Sequence, residues 1–160
     1  MIKLYHGSNM KIERPDLAHS KPFKDFGKGF YLSADKQQAW EMALQKVNQT
    51  DEGSPIVSEF LFDESLMQSG TLNVLSFGDY CEEWAEFIIA NRNKKAIHPI
   101  HNYDIVYGPI ADDGLTYQLR RYQGGVISLS RLVSELKYAK GITFQYFFGT
   151  EQALKQLKKI

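Results

Sequence analysis

Short β-rich segments and amphipathic helices follow one another along this chain without a regular βαβ alternation. Period-two or β-branched and aromatic runs predict strands at residues 2–6, 29–33, 56–62, 72–77, 103–107 and 142–148. Apolar spacing of three and four predicts helices at residues 36–48, 79–92, 116–122, 128–136 and 150–157. Because doubly wound sheets need strands and helices to alternate, the order of these segments predicts an α+β fold.

Polar residues mark three of the predicted helix starts. Asp35 with Gln38, and Asp79 with Glu82, have the spacing of a capping box, in which each residue satisfies a free backbone N–H of the first turn. Thr150 stands just before the last helical pattern and is expected to cap it. Helices are therefore predicted to begin directly after residues 35, 79 and 150.

Size and charge narrow the class of protein. A length of 160 residues predicts a single domain covering 1–160, and 43% hydrophobic with 24% charged residues is typical of a globular chain. Nineteen basic and nineteen acidic residues give zero net charge, so no overall field attracts nucleic acid or an anionic membrane. With no long apolar run and no signal-peptide pattern, we expect a cytoplasmic protein without a membrane partner.

Metal and cysteine chemistry have weak support in the sequence. The single cysteine, Cys81, excludes an intramolecular disulfide and a multi-cysteine zinc site, and its helical, apolar surroundings indicate an inert thiol. His98, His101 and Asp104 have a spacing that metal sites sometimes use. Pro99 opposes a helix that would aim both rings the same way, so we predict a surface turn and no metal site.

Three segments, far apart in the sequence, hold the strongest candidates for ligand contacts. The first strand ends in His6, and Gly7 follows it with a bare backbone that a ligand can approach closely. A glycine-rich loop then enters the strand that holds Tyr31, and Gln145 interrupts the aromatic run of the last long strand. Taken singly, each residue also fits a structural role, as a strand-end histidine, a half-buried aromatic and a solvent-facing amide.

In this order the segments resemble the ADP-ribosyltransferase superfamily, the NAD-using class of diphtheria-type toxins and poly(ADP-ribose) polymerases. Its pattern is a histidine on the first strand, a tyrosine on a later strand that leads into a helix, and an acidic or amide residue on a late strand. The chain is most similar to a bacterial branch with the motifs L-Y-H-G-S, F-G-K-G-F-Y-L, W-x-x-F-x-x-x-N-R, D-x-V-x-G-P-x-x-D-D and Q-x-x-F-x-T-E-x-A-L. These motifs match residues 4–8, 26–32, 84–92, 104–113 and 145–154.

The resemblance implies a split, mostly antiparallel β-sandwich with flanking helices and an NAD cleft between the sheet halves. It implies NAD as the co-substrate and no metal. The implied catalytic residues are His6, Tyr31 and Gln145. The implied NAD-binding residues are His6, Gly7, Ser8, Phe30, Tyr31 and Gln145.

The implied roles follow from the chemistry of the nicotinamide–ribose bond. Its cleavage releases neutral nicotinamide and leaves an oxocarbenium-like ribose, so positioning and electrostatics matter more than a nucleophile. His6 would bond the adenosine ribose, and the Gly7 peptide would pair with the nicotinamide carboxamide. Tyr31 would stack on the cationic ring, and Gln145 would bond a hydroxyl of the nicotinamide ribose.

Many relatives in the superfamily have glutamate at the position of Gln145. An amide cannot serve as a general base, so the acceptor is expected to need no activation or to be activated by another carboxylate. The candidates for that carboxylate are Glu151, Asp112 and Asp113. Because a carboxylate would add negative charge facing the oxocarbenium, Gln145→Glu is expected from the sequence to retain NAD cleavage.

The function that the resemblance implies is mono-ADP-ribosyl transfer from NAD to a protein or nucleic-acid acceptor, with release of nicotinamide. Toxin-like members are often restrained by a partner, so an inhibitory partner protein is a further expectation. Two alternatives stay open. The first is an NAD glycohydrolase, for which water is the acceptor. The second is a catalytically silent module that binds NAD or ADP-ribose.

Overall fold

The computed structural model of the chain describes residues 1–111, 113–137 and 141–160. The strands of this part are β1 (Ile2–Ser8), β2 (Phe30–Leu32), β3 (Ile56–Phe62), β4 (Val74–Ser76), β5 (Ile105–Pro109), β6 (Phe144–Phe148) and β7 (Lys158–Lys159). Its helices are α1 (Lys36–Thr50), α2 (Glu82–Asn91), α3 (Asp113–Gln123), α4 (Leu129–Lys137), α5 (Glu151–Leu154) and a 3₁₀ turn, Glu64–Met67. The predicted α+β class is confirmed. No helix within these residues has the length and apolar character to cross a membrane.

The strands form two sheets. The first has the order β1-β3-β7, and the second has the order β2-β6-β5-β4. Neighbouring strands are antiparallel except for β4 and β5, which are parallel. The two sheets touch along the backbone through a bridge between Tyr5 and Ser33, with N–H to O distances of 2.8 Å in both directions. Strand β1 pairs with β3 along its whole length and β2 pairs with β6, and the bridge is isolated, so the sheets separate on either side of it.

Alternating side chains of the second sheet build two hydrophobic cores. The core between the sheets combines residues of both, including Leu4, Phe30, Phe60, Phe62, Ile105 and Phe148. The core on the opposite face of the second sheet includes Phe26, Trp84, Ile88, Val106, Leu115, Leu119, Leu132 and Phe147. Because both faces of β5 and β6 are buried, these strands show continuous apolar runs where a half-buried strand would alternate.

Helix α1 packs closely against β1 on the face away from the second sheet. A Cβ added to Gly7 would lie 1.8 Å from the Ala39 carbonyl oxygen and 2.8 Å from the Ala43 backbone nitrogen. These distances are far below van der Waals contact, so β1 requires glycine at this position for the helix to pack. The bare backbone of Gly7 therefore has a structural cause that is independent of any ligand.

The helix caps agree with two of the three predicted starts. The Asp35 carboxylate accepts from the backbone N–H groups of Gln37 and Gln38, and Thr150 caps α5 through Ala153. The Asp79 capping box is wrong: Cys81 Sγ accepts from the Trp84 N–H at 3.4 Å, and α2 begins at residue 82. Asp79 stands two residues before this cap and is too early to reach that amide.

Strand ends differ from the predictions where tertiary pairing decides them. Strand β5 continues through Gly108 to Pro109, beyond the predicted end at residue 107, because both residues pair with the start of β6. Pro109 tolerates the position at the end of the strand, and its carbonyl oxygen accepts from the Trp84 indole N–H at 3.1 Å. The sequence did not predict β7, since two lysines carry no β-strand signal.

Gly7→Ala is expected to lower the free energy of unfolding by at least about 2 kcal/mol, because the added methyl group would overlap two backbone atoms of α1. Urea unfolding followed by circular dichroism measures the change. Gly78→Ala is the matched control, because nothing lies within 4 Å of a Cβ at Gly78. Equal losses in the two variants would contradict the packing argument.

Candidate functional site

His6 lies where the two sheets separate. Its ring nitrogen Nδ1 is 2.7 Å from the Tyr31 carbonyl oxygen, and its ring stacks on Phe30 with centroids 4.2 Å apart. Tyr31 stands two residues before Ser33, whose backbone faces β1, so the Tyr31 carbonyl faces the same edge. The histidine side chain therefore satisfies a carbonyl that a continuous sheet would have paired with β1.

This contact determines the tautomer of His6, and burial determines its charge. A carbonyl oxygen only accepts, so Nδ1 carries the proton and Nε2 presents a lone pair. Burial lowers the pKa of His6 to about 4, with nearby Lys24 and Lys46 acting in the same direction. The ring is neutral at pH 7, and among the described residues none donates to Nε2.

The Gly7 peptide is half-buried and lies along the edge where the sheets separate. Tyr5 uses its N–H and carbonyl toward Ser33, and residues two apart in a strand direct these groups to the same side. The N–H and carbonyl of Gly7 therefore point toward the β2 edge, away from their neighbour Val57 on β3. Within the described part of the chain neither group has a hydrogen-bond partner.

Ser8 and Phe30, the other predicted NAD contacts on these strands, are largely buried. The Ser8 hydroxyl donates to Asn9 Oδ1 at 3.4 Å, and its side chain is 8% exposed. Phe30 is 6% exposed and lies between the His6 ring and the edge of Phe60. Phe30 thus supports the His6 ring from within the core.

Tyr31 anchors the glycine-rich loop that precedes it. Its hydroxyl donates to the Gly27 carbonyl at 2.7 Å and accepts from the Phe26 N–H at 3.0 Å. Burial raises the pKa of Tyr31 well above its ordinary value, so the hydroxyl stays protonated. The Phe147 ring packs edge-on at 5.3 Å, and Lys24 Nζ lies 5.2 Å from the centre of the Tyr31 ring. A cation therefore already contacts the aromatic ring that was predicted to stack on nicotinamide.

His101 holds the same loop from the other side. Its Nε2 donates to the Phe26 carbonyl at 2.6 Å, and its Nδ1 accepts from the Tyr103 N–H at 3.1 Å. Burial lowers the pKa of His101, which agrees with a neutral ring that uses both nitrogens. His98 is exposed, and the described residues contain no cluster of three metal-ligating side chains.

Gln145 contacts an aspartate from this loop. Its Nε2 is 3.4 Å from Asp25 Oδ2, and the other oxygen of Asp25 accepts from Arg92 Nε at 2.8 Å and Nη2 at 2.5 Å. Arg92 also donates to Thr116 Oγ1 at 3.3 Å. The loop, the end of α2, helix α3 and strand β6 therefore meet at one hydrogen-bonded group.

Of the carboxylates that were predicted to assist Gln145, Glu151 lies away from it. Glu151 is exposed at the start of α5, beyond the opposite end of β6. Asp112 lies outside the described residues, and Asp113 opens α3. Asp104, from the same motif, accepts from the Asn73 N–H at 2.8 Å and from the Thr150 hydroxyl, which is a structural role.

The three predicted catalytic residues are connected through the loop rather than by direct contact. His6 bonds the backbone of Tyr31, whose hydroxyl bonds Phe26, and Asp25 next to it bonds Gln145. Asp25 was not predicted as a site residue, and Arg92 was predicted only within a motif. The 67 residues between these two partners leave no periodic signal.

Two surface concavities are lined by residues other than the predicted NAD contacts, and Val57 in the first is the β3 neighbour of Gly7. One, of about 510 Å³, is lined by Lys36, Gln37, Trp40 and Val57 beside α1. The other, of about 640 Å³, is lined by Arg121, Val126, Ile127, Ser128, Ser130, Arg131 and Ser134. Neither includes a predicted NAD contact.

The fold and the site define an α+β protein whose two sheets separate at a histidine–glycine pair. Residues 2–159 match the family described as Protein of unknown function (DUF3990), and the chain therefore belongs to that family. No curated protein and no solved structure matches the chain.

The depressed pKa of His6 predicts a specific pH dependence of stability. Between pH 6.5 and about 4 the unfolded chain binds a proton that the folded ring does not, so stability falls as pH falls through this range. His6→Gln keeps a donor for the Tyr31 carbonyl but does not titrate. The unfolding free energy of wild type should therefore fall relative to this variant by up to about 3 kcal/mol.

Urea unfolding at a series of pH values measures this difference. His98→Gln is the control, because His98 is exposed and its variant should follow the wild-type curve. Parallel curves for wild type and His6→Gln would contradict a neutral His6 in the folded protein.

Proposed function

We propose that this chain is a mono-ADP-ribosyltransferase that binds NAD where β1 and β2 separate. The observation that carries the proposal is the unpaired peptide of Gly7 beside a neutral His6. The acceptor is a protein or a nucleic acid, and nicotinamide is the leaving group. The motif resemblance to ADP-ribosyltransferases supports the same assignment.

The Gly7 peptide has the hydrogen-bonding pattern that a primary carboxamide complements. A strand residue presents its N–H and its carbonyl to the same side, as a primary amide presents its carbonyl and its NH₂. The nicotinamide carboxamide would extend the edge of β1 by two hydrogen bonds. The His6 Nε2 lone pair next to this edge would accept from a ribose hydroxyl, which a protonated histidine could not do.

The ring of Tyr31 would stack on the nicotinamide, and this requires Lys24 to move. Both Lys24 and the nicotinamide ring are cations, so they compete for the same aromatic face. The NAD pyrophosphate would offer Lys24 a stronger partner, with Lys46 nearby to share the negative charge. NAD binding is thus expected to exchange one cation for another over Tyr31.

The reaction itself breaks the bond between ribose C1′ and the nicotinamide nitrogen. The electron pair leaves with nicotinamide, and an acceptor oxygen or nitrogen adds to the oxocarbenium carbon and loses its proton. Gln145 would hold a hydroxyl of the reacting ribose through its amide oxygen. Positioning of this kind lowers the activation free energy substantially when charge develops in a preorganised site.

We expect NAD to raise the melting temperature of the folded protein, because a ligand that binds only the native state stabilises it by mass action. Chromatography of nicotinamide and mass spectrometry of cell extract then identify the product. ADP-ribose on a macromolecule supports the transferase, free ADP-ribose identifies a glycohydrolase, and binding without cleavage identifies a silent module. Millimolar NAD without a shift or cleavage, in folded protein, would refute both the transferase and the glycohydrolase.

Gln145→Ala is expected to slow nicotinamide release by roughly 10- to 1000-fold and to change NAD affinity only a few fold, since the lost contact acts mainly in the transition state. Single-turnover release at matched folded fraction measures the effect. Gln152→Ala is the control, because Gln152 is exposed at the start of α5. A wild-type rate from Gln145→Ala would remove Gln145 from the catalytic set.

A further inference from the structure

The Asp25 carboxylate has a fixed orientation beside Gln145. Its Oδ1 accepts two hydrogen bonds from Arg92, and its Oδ2 faces Gln145 Nε2 and the Ala111 N–H, both at 3.4 Å. The Asp25 side chain is 15% exposed and that of Arg92 28%. With both oxygens engaged by different elements, rotation of the carboxylate would break a charge-assisted pair.

This carboxylate determines which way the Gln145 amide faces. An ionised carboxylate only accepts hydrogen bonds, so the NH₂ group of Gln145 must face Asp25. The amide oxygen then points away from Asp25, and no donor among the described residues contacts it. Gly108 is the register partner of Gln145 on β5, and it adds no side chain that could compete for the amide.

We propose that Asp25, held by Arg92, is a positioning residue that orients the Gln145 amide oxygen toward the ligand and makes glutamine the required residue at position 145. The proposal rests on the proposed function, because it concerns how Gln145 meets the nicotinamide ribose. It reverses the expectation from the sequence that Gln145→Glu retains NAD cleavage.

The reversal follows from the charges. A glutamate at position 145 would place a second carboxylate at hydrogen-bond distance from Asp25, and Arg92 is already engaged by the first. Two carboxylates at this distance do not both stay ionised in place, so one takes up a proton or turns away. A glutamate that turns away no longer holds the ribose hydroxyl. One that shares a proton with Asp25 keeps an acceptor oxygen in place only while that proton is held, and the proton is lost as pH rises.

An exchange of the two groups tests the proposal. Single-turnover nicotinamide release should be at least about 10-fold slower in Gln145→Glu and in Asp25→Asn, because each variant loses the amide–carboxylate pair. The double variant, with asparagine at 25 and glutamate at 145, restores an amide beside a carboxylate and should be faster than either single variant. Asp16→Asn is the control, since Asp16 is exposed and bonds only locally to His19.

Unfolding of the same four proteins gives a readout that does not depend on NAD. Gln145→Glu should lose stability relative to wild type as pH rises from 4 to 8 and both carboxylates ionise, and the double variant should not. Rescue in both measurements supports the proposal. Absence of nicotinamide release from wild type would refute the proposed function, whereas additive unfolding effects would refute the Asp25–Gln145 contact whatever the activity. Wild-type release rates from Gln145→Glu would overturn the positioning role.

Discussion

The arrangement of the candidate site depends on the hydrogen bond from the His6 ring to the Tyr31 carbonyl. Past the bridge at Tyr5 and Ser33, the edge of β2 still presents a carbonyl that needs a donor, and an unsatisfied one in this partly buried place would be costly. The His6 side chain supplies that donor, so β1 is free to diverge. The divergence leaves the Gly7 peptide on the edge of β1 without a strand partner, where a continuous sheet would have paired it with β2.

The glycines of the sequence motifs are required for packing, so their presence does not by itself indicate a ligand site. Gly7 is required because α1 packs against it, and a Cβ at Gly29 or Gly149 would lie within 2.1 or 2.5 Å of the Phe147 ring. These residues would be retained for packing alone. Glycine at these positions is therefore not evidence of a ligand site. The features that favour a ligand are the direction of the unpaired Gly7 peptide and the lone pair of His6.

The sequence predicted what local chemistry determines. The α+β class, the caps at Asp35 and Thr150 and the strand that ends near His6 follow from periodicity and capping, which act over a few residues. The Cys81 cap escaped prediction because a thiol is a weak acceptor and rarely caps helices. The ion pair between Asp25 and Arg92 was not predicted, because it joins a loop to a helix end that is distant in the sequence. Only the tertiary fold brings these two residues together.

Apart from Lys24 over the Tyr31 ring and Lys46 nearby, charge in this site is arranged in neutral groups. His6 is uncharged, Gln145 is an amide, and the Asp25 carboxylate is balanced by Arg92. An ion pair of this kind contributes little field at a distance, but it costs much to break and so holds its neighbours in place. In the proposed reaction the developing oxocarbenium would therefore be stabilised by aligned dipoles rather than by a free negative charge. Such dipoles stabilise a transition state only when they are already oriented before the reaction begins. The buried contact between Phe26 of the loop and Phe147 of β6 helps to hold these groups in place. The aromatic core would in this way support the proposed reaction at the edge of β1.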